Sequence, residues 1–498
     1  MRHRFLLAGI ALLMNLPAWS AGLVPDLQHL DSLPMHALPL QVISSKVLAA
    51  QSKVQPYQFA VSAALPLGLD GGAWKQLDGG TWSWRTRVYS ANAQTLNFHF
   101  DQFSLPPGGA LWIYDAQGRH IDGPYTESSA TPDGQLWTAV VPGETAVLEV
   151  RVPATGKSLT QLHLAEVNHG FRGFSGKAGT GSFGDAGSCE TDVACPAGQN
   201  WLNEARALAR ISINGNTLCS GQLINDIPQD NIPYFLTAFH CGVTSSTASS
   251  VVFYWNYQNA SCGGNGQEPS YQTQSGATFV AGDQGSDFTL LKAAQMPSGS
   301  FNLYQSGFDA SSSDTPQSGA VVHHPEGDVT KISTYSTPAK TATTSLCEGN
   351  IVAGLCLGTS HTITTWDITY SQGITEPGSS GSALYNQNHQ IVGQLSGGNT
   401  SCSNSGGDDV YGRTDVAWTA NTAASGQLKA WLGDPNNPNA LSVGGKNLNG
   451  TASSNSGSSG NGGGGGGGSF TPLTLAALLL LVLLKHAPDL LRRHQDRR

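Results

Sequence analysis

The stretch Glu376-Pro-Gly-Ser-Ser-Gly-Ser-Ala-Leu384 offers three candidate nucleophiles, Ser379, Ser380 and Ser382, and choosing among them decides the fold. A serine hydroxyl attacks a carbonyl efficiently only where preset N–H donors catch the oxyanion. In one recurring arrangement those donors are the nucleophile's own N–H and that of the residue two before it. For Ser379 that residue is Pro377, which has no N–H. For Ser382 it is Ser380, with a side chain where close approach favours glycine. For Ser380 it is Gly378, and Gly381 follows to let the chain turn tightly. The requirement selects Ser380, with Gly378 and Ser380 as oxyanion donors. Taken alone, the stretch reads equally as a Gly/Ser turn in a chain of 61 glycines.

Two more residues bear on that choice. His240 closes the apolar run Pro233-Tyr-Phe-Leu-Thr-Ala-Phe-His-Cys241, and Asp287 opens another in Gly285-Ser-Asp-Phe-Thr-Leu-Leu291. By itself His240 reads as a satisfied core residue. An acid entering a hydrophobic run, however, is costly unless it is hydrogen-bonded. A histidine N–H would satisfy it and fix the tautomer that leaves the other ring nitrogen free as a base. His240, Asp287 and Ser380 follow one of the chain orders in which this catalytic set occurs.

Together these motifs resemble the bacterial lysyl endopeptidases, a secreted branch of the trypsin-like serine proteases. The resemblance is carried by Gly187-Ser-Cys189, Asp192-Val-Ala-Cys-Pro196, Tyr234-Phe-Leu-Thr-Ala238, Phe253-Tyr-Trp-Asn-Tyr-Gln-Asn259, Ser286-Asp-Phe-Thr-Leu-Leu291, His323-His-Pro325, Ile374-Thr-Glu-Pro-Gly-Ser-Ser-Gly-Ser-Ala383 and Asp409-Val-Tyr-Gly-Arg413. It spans roughly residues 187–433. It implies an all-β catalytic domain of two six-stranded antiparallel barrels, where the short strand-like runs alone say only all-β. It also implies peptide hydrolysis without a metal or organic cofactor.

Specificity turns on a different acid. Trypsin places its pocket carboxylate six residues before the nucleophile, and Ile374 stands there in this chain. The resemblance assigns the lysine-pocket acid to Asp409, preferred over Asp408 by its spacing to Tyr411-Gly-Arg413. A single desolvated acceptor suits a compact ammonium better than a broad guanidinium fork. A solvated Asp408-Asp409 turn is the alternative. Eight cysteines behind a secretory leader fit a disulfide framework rather than redox or metal chemistry. The resemblance implies Cys189–Cys402, Cys195–Cys262 and Cys219–Cys241, and leaves Cys347 and Cys356 to pair as an addition to the family pattern.

There are departures. Ser396 stands where the family enzyme has a histidine, and the Cys347–Cys356 segment replaces a loop tryptophan; both put the pH optimum and catalytic efficiency in question. Ser379 replaces the acid that trypsin pairs with its new N-terminus, which fits activation by release of a blocking propeptide. His323 and His324 are adjacent and lack the spacing of a metal site, so a structural or subsite role is expected.

Outside the catalytic segment the chain divides readily. Only 12% of its residues are charged, with a formal net charge of −9, so no basic nucleic-acid surface is indicated. Residues 1–20 read as a secretory signal, with Arg2 and Arg4 before an apolar run and a small-residue site that places cleavage after Ser20. Strand-like runs alternating with turn signals suggest a small β-sandwich over about 55–165, and the resemblance implies that residues 21–177 are a propeptide that assists folding and blocks the site. A binding module that stays attached is the alternative, and Trp74, Trp82 and Trp84 would suit one. A Gly/Ser-rich link follows, in which Lys177 is the expected self-processing point and Arg172 a competitor. The protease domain is expected over 178–445.

Residues 446–469 form an Asn/Ser/Gly linker, 470–484 a short apolar span, and 485–498 a basic cytoplasmic tail. That tripartite end resembles the Gly-Gly C-terminal sorting signals of Gram-negative bacteria, cut by a rhomboid-type protease; a permanent single-span anchor is the alternative. The expected product is a monomeric, secreted or surface-held serine endopeptidase cutting after lysine. It would first be anchored at the inner membrane, facing the periplasm. Its expected partners are protein or peptide substrates, its own propeptide, signal peptidase and the sorting protease. A protease of broader specificity and a surface binding protein with an inactive protease domain are the competing readings.

Overall fold

The computed structural model describes residues 27–41, 53–172, 186–266, 268–347, 351–352, 355–356 and 358–448. Ser20, Lys177, most of the linker, the apolar stretch and the basic tail lie outside the described residues. Most regular structure is β, with only short helices and 3-10 turns between the strands. Among the described residues no helix is long and apolar enough to cross a membrane.

The N-terminal part is a sandwich of two mainly antiparallel sheets. One runs in the order Met35–Ala37, Trp82–Tyr89, Thr145–Val152, Ala110–Asp115, Ile121–Tyr125, with Ala73–Gln76 also on Trp82–Tyr89. The other runs Val141–Pro142, Thr95–Ser104, Gln161–Gly170, Ala60–Gly68, with Leu136–Trp137 added to Thr95–Ser104. Period-two alternation sends Leu96, Phe98 and Phe100 into the core with Trp84, Ile113, Leu148 and Val150. Trp74 and Trp82 pack partly buried against that core. The Lys157 ammonium lies 4.1 Å from the Trp82 ring centroid.

The opposite face of the second sheet is buried as well, against the C-terminal part. Asn97 and Asn168 are buried polar residues on that face. Asn168 donates to Asn97 at 2.9 Å, and Asn97 donates to the carbonyl of Gly215 at 2.9 Å. Tyr57, Phe59, Trp137 and Val140 close the contact with Leu218, Val252 and Tyr254 in one apolar cluster.

The C-terminal part consists of two mainly antiparallel sheets in succession. The first runs Gln272–Ser275, Val252–Trp255, Leu208–Ile213, Thr217–Leu223, Tyr234–Ala238, Phe288–Ala293, Ala277–Asp283. The second runs Thr191–Asp192, Lys331–Tyr335, Gly319–His323, Ala383–Asn386, Gln390–Gly398, Asp409–Arg413, Ser360–Ile368, Lys340–Cys347. The sheets hold 8 and 10 strands rather than six each. The excess comes largely from short edge pairings, among them Tyr57–Gln58, which the sandwich contributes to the first sheet.

Each sheet has its own core, around Phe235, Phe253 and Trp255 in the first and Trp366, Leu395 and Tyr411 in the second. A third cluster, with Leu236 and Phe288 meeting Ile332 and Ile391, joins them. Lys446–Asn447 pairs with Tyr304–Gln305, and Leu448 N–H donates to the Leu303 carbonyl at 3.0 Å.

Four disulfides form: Cys189–Cys402, Cys195–Cys262, Cys219–Cys241 and Cys347–Cys356.

Candidate active site

The apolar strand Tyr234–Ala238 delivers His240 on the turn Phe239–Cys241, and the Cys219–Cys241 bridge ties that turn to the neighbouring strand. Asp287 precedes the strand Phe288–Ala293 in a left-handed conformation with φ 55°. That unusual backbone is held from two sides. Phe239 N–H donates to the Asp287 carbonyl at 2.9 Å, and the Gln394 amide donates to the same carbonyl at 3.0 Å.

The Asp287 carboxylate is fully buried and accepts from the His240 backbone N–H at 2.9 Å. His240 Nδ1 lies 3.0 Å from its other oxygen. A charge excluded from water is thereby satisfied twice by one residue, and Nδ1 is fixed as the donor nitrogen.

Ser380 lies where the two sheets meet, between strands of the second. Its carbonyl accepts from Ser220 N–H at 2.8 Å and lies 3.9 Å from Cys241 Sγ, so it abuts the His240 turn. Gly378 has φ 93°, and a Cβ there would sit 3.0 Å from the His324 carbonyl oxygen. Gly381 has φ 84°, and a Cβ would come within 2.3 Å of Thr237 Oγ1. Only glycine fits either place. Ser379 turns away and meets His323 Nδ1 at 2.8 Å.

Ser380 Oγ donates to the main-chain carbonyl of Lys53 at 2.7 Å. His240 Nε2 is buried and has no hydrogen-bond partner among the described residues. His240 and Asp287 are therefore joined, while the Ser380 proton points to a residue of the N-terminal sandwich segment.

Asp409 is fully buried, and Asp408 is not its equal: Asp408 accepts from the Thr369 hydroxyl in the adjoining turn. Asp409 Oδ2 accepts from Thr375 Oγ1 at 2.5 Å and Thr400 Oγ1 at 2.8 Å. Asp409 Oδ1 accepts from Thr400 N–H at 3.2 Å and from the Lys53 ammonium at 2.9 Å. The ammonium also donates to Thr400 Oγ1 at 2.7 Å. Burial lowers the Lys53 pKa, and the Asp409 charge opposes that shift. Ile374 is buried beside Thr375 and supplies no charge.

Thr375, Thr400 and Lys53 are partners of Asp409 that sequence reasoning misses. No local motif marks them: Thr375 and Thr400 lie 34 and 9 positions from Asp409, and Lys53 lies 356 positions away. Glu190 and Glu376 also stand near the pocket. Burial first, then the nearby Glu376 charge, holds Glu190 well above the ordinary carboxylate range.

His323 and His324 are buried and bonded to Ser379, Ser333 and the Asp328 carbonyl. Burial keeps both neutral, with His324 lowered to about 3. Among the described residues no group of three or more metal-ligating side chains could hold an ion.

This arrangement suits acyl transfer at Ser380, with a buried anionic pocket for a compact cation. A lysyl endopeptidase of Pseudomonas aeruginosa is 26% identical over 314 residues, covering 59% of this chain and 62% of its own length. The chain thus matches less than two thirds of that relative. Among solved structures, the Rv3671c protease of M. tuberculosis in its active form has a TM-score of 0.29 at 18% identity, covering 45% of this chain and 85% of that one. A thermostable serine protease, AL20, from an extremophilic microorganism has a TM-score of 0.28 at 14% identity, covering 42% and 92%. Residues 183–412 match the family described as "Lysyl endopeptidase, C-terminal domain".

Proposed function

We propose that the chain is a serine endopeptidase that hydrolyses peptide bonds on the carboxyl side of lysine. The observation that carries this reading is the buried Asp409 carboxylate, which holds a lysine ammonium while the same lysine's carbonyl lies against Ser380 Oγ. An ammonium with three donors matches the acceptors around it: Asp409 Oδ1 and Thr400 Oγ1, with Oδ2 at 3.2 Å. A planar guanidinium needs a wider bidentate partner.

In the proposed mechanism His240 takes the Ser380 proton as Oγ attacks the substrate carbonyl. The N–H groups of Gly378 and Ser380 hold the oxyanion, and Asp287 orients His240 and stabilises its charged form. His240 then protonates the leaving amine, and water releases the acyl group. The secretory signal ending at Ser20, removal of the propeptide with Lys177 as a cut point, and the C-terminal sorting segment belong to the same proposal and rest on their sequence patterns.

The test is mass-spectrometric mapping of every bond cut in a denatured protein mixture, with Ser380→Ala as control. Cuts confined to Lys-Xaa bonds and absent from the control are expected. Cuts after arginine at comparable rates would overturn the lysine assignment, and Ser380-independent cuts would overturn the nucleophile.

A further inference from the structure

We propose that Lys53 is a built-in plug of the lysine pocket: it binds by its side chain as a substrate would, but presents its main chain in a form that Ser380 cannot cut. This rests on the lysine reading of Asp409. The side-chain half is the ion pair already described, with the Lys53 side chain only 7% exposed.

The main-chain half is different in kind. Acyl transfer requires the substrate oxygen on the N–H donors and the serine proton on the histidine. Here the Lys53 carbonyl oxygen instead accepts a hydrogen bond from Ser380 Oγ at 2.7 Å, and His240 Nε2 is left without a partner among the described residues. Lys53 and Val54 also lie in a turn rather than an extended strand. Val54 bends back onto Leu346, Ile363 and Val410, and its Cγ1 would be 2.6 Å from a Cβ on Gly397. The bond after Lys53 is thus folded away from an extended path through the site.

The plug is anchored directly downstream. Tyr57 and Gln58 pair antiparallel with Leu218 and Thr217, adding a strand to the first protease sheet. Phe59 N–H donates to the Asn216 carbonyl at 3.0 Å. Arg172 lies over the Tyr57 ring at 4.9 Å and donates to the Gln58 carbonyl at 2.9 Å. A lysine tethered this close acts at an effective concentration in the millimolar range, enough to fill a pocket of ordinary substrate affinity. Loss of the sandwich removes the tether, and the pocket then opens to substrates.

Two measurements on the full-length chain test this. In the Ser380→Ala chain, acetic anhydride labelling read by peptide mass mapping should modify Lys53 at least about tenfold more slowly than the exposed Lys75 and Lys340. Asp409→Asn should abolish that protection. In the uncut chain with Ser380 intact, Lys53→Met should raise the rate of Ser380 labelling by a fluorophosphonate by a similar factor. Lys53 as reactive as Lys75, or a Lys53→Met chain as latent as its parent, overturns the plug. So does scission after Lys53 in the folded chain as fast as in the denatured one. If the mature enzyme still cuts only after lysine in those cases, the lysine reading stands and the plug alone fails. A mature enzyme indifferent to lysine, with Lys53 still protected, sinks the lysine reading instead.

Discussion

At the scale of single residues the pocket is a buried carboxylate that accepts hydrogen bonds from two threonine hydroxyls and a backbone N–H. Removing one partner of a buried ion pair costs roughly 3–5 kcal/mol, because the other is left uncompensated. Asp409→Asn is therefore expected to lower kcat/KM for lysyl peptides by about 10²–10³-fold. Thr400→Val removes one donor to Asp409 and one acceptor for the ammonium, and should cost about tenfold. Steady-state kinetics with matched lysyl and leucyl substrates separates the two effects from general damage, since the leucyl rates should hardly move. Gly378→Ala belongs to the same scale. Its φ of 93° and the His324 carbonyl 3.0 Å from the new Cβ force the oxyanion turn to shift. The expected loss is roughly 10²–10³ in kcat with KM little changed.

At the scale of elements the site depends on turns that end strands. The His240 turn carries one half of the Cys219–Cys241 bridge, which spans 22 positions. Replacing both cysteines with serine should destabilise the C-terminal part by about 2–4 kcal/mol, read as a lower denaturant midpoint. The alternation of Leu96, Phe98 and Phe100 makes their strand legible from the residues alone. The burial of Asn97 and Asn168 on the reverse face of that sheet is not legible, because a polar face reads as solvated until a partner such as the Gly215 carbonyl is known.

At the scale of the whole molecule, the sandwich and the C-terminal part meet around acids that resist ionisation. Asp122 and Glu268 line one cavity of about 750 Å³ between residues 119–125 and 268–275. Burial raises Asp122 to about 6 and Glu268 to about 7, against opposing hydrogen bonds from Tyr125 and Tyr257. Because both folded values lie above the unfolded ones, their stabilising contribution is complete below about pH 4 and is lost as pH rises through 6 to 7. The uncut Ser380→Ala chain should therefore melt at a higher temperature at pH 5 than at pH 8, as far as these groups decide it. Asp122→Asn should remove part of the difference, on the order of 1–1.5 kcal/mol, because most of the shift lies below pH 5. Calorimetry at the two pH values checks this, and an unchanged difference in the variant would refute the role of Asp122.

Features that depend on local chemistry are written in the chain. Pro377 and Gly378 single out Ser380, the apolar runs around His240 and Asp287 mark strand edges, and alternating residues make the chain all-β. Asp409 is singled out only through its spacing to Tyr411-Gly-Arg413 within a family resemblance. Features that need distant segments to meet come from the fold: the threonines that hold Asp409, the glutamate beside the pocket, and the sandwich strand added to the protease sheet. Lys53 is the clearest case. Nothing in Gln51-Ser-Lys-Val54 distinguishes it from any other lysine, because its meaning comes from an acid 356 positions away and a serine 327 positions away. Hydrogen-bond and apolar patterns run along the chain, whereas the partner of a buried charge is set by the fold that excludes water from both.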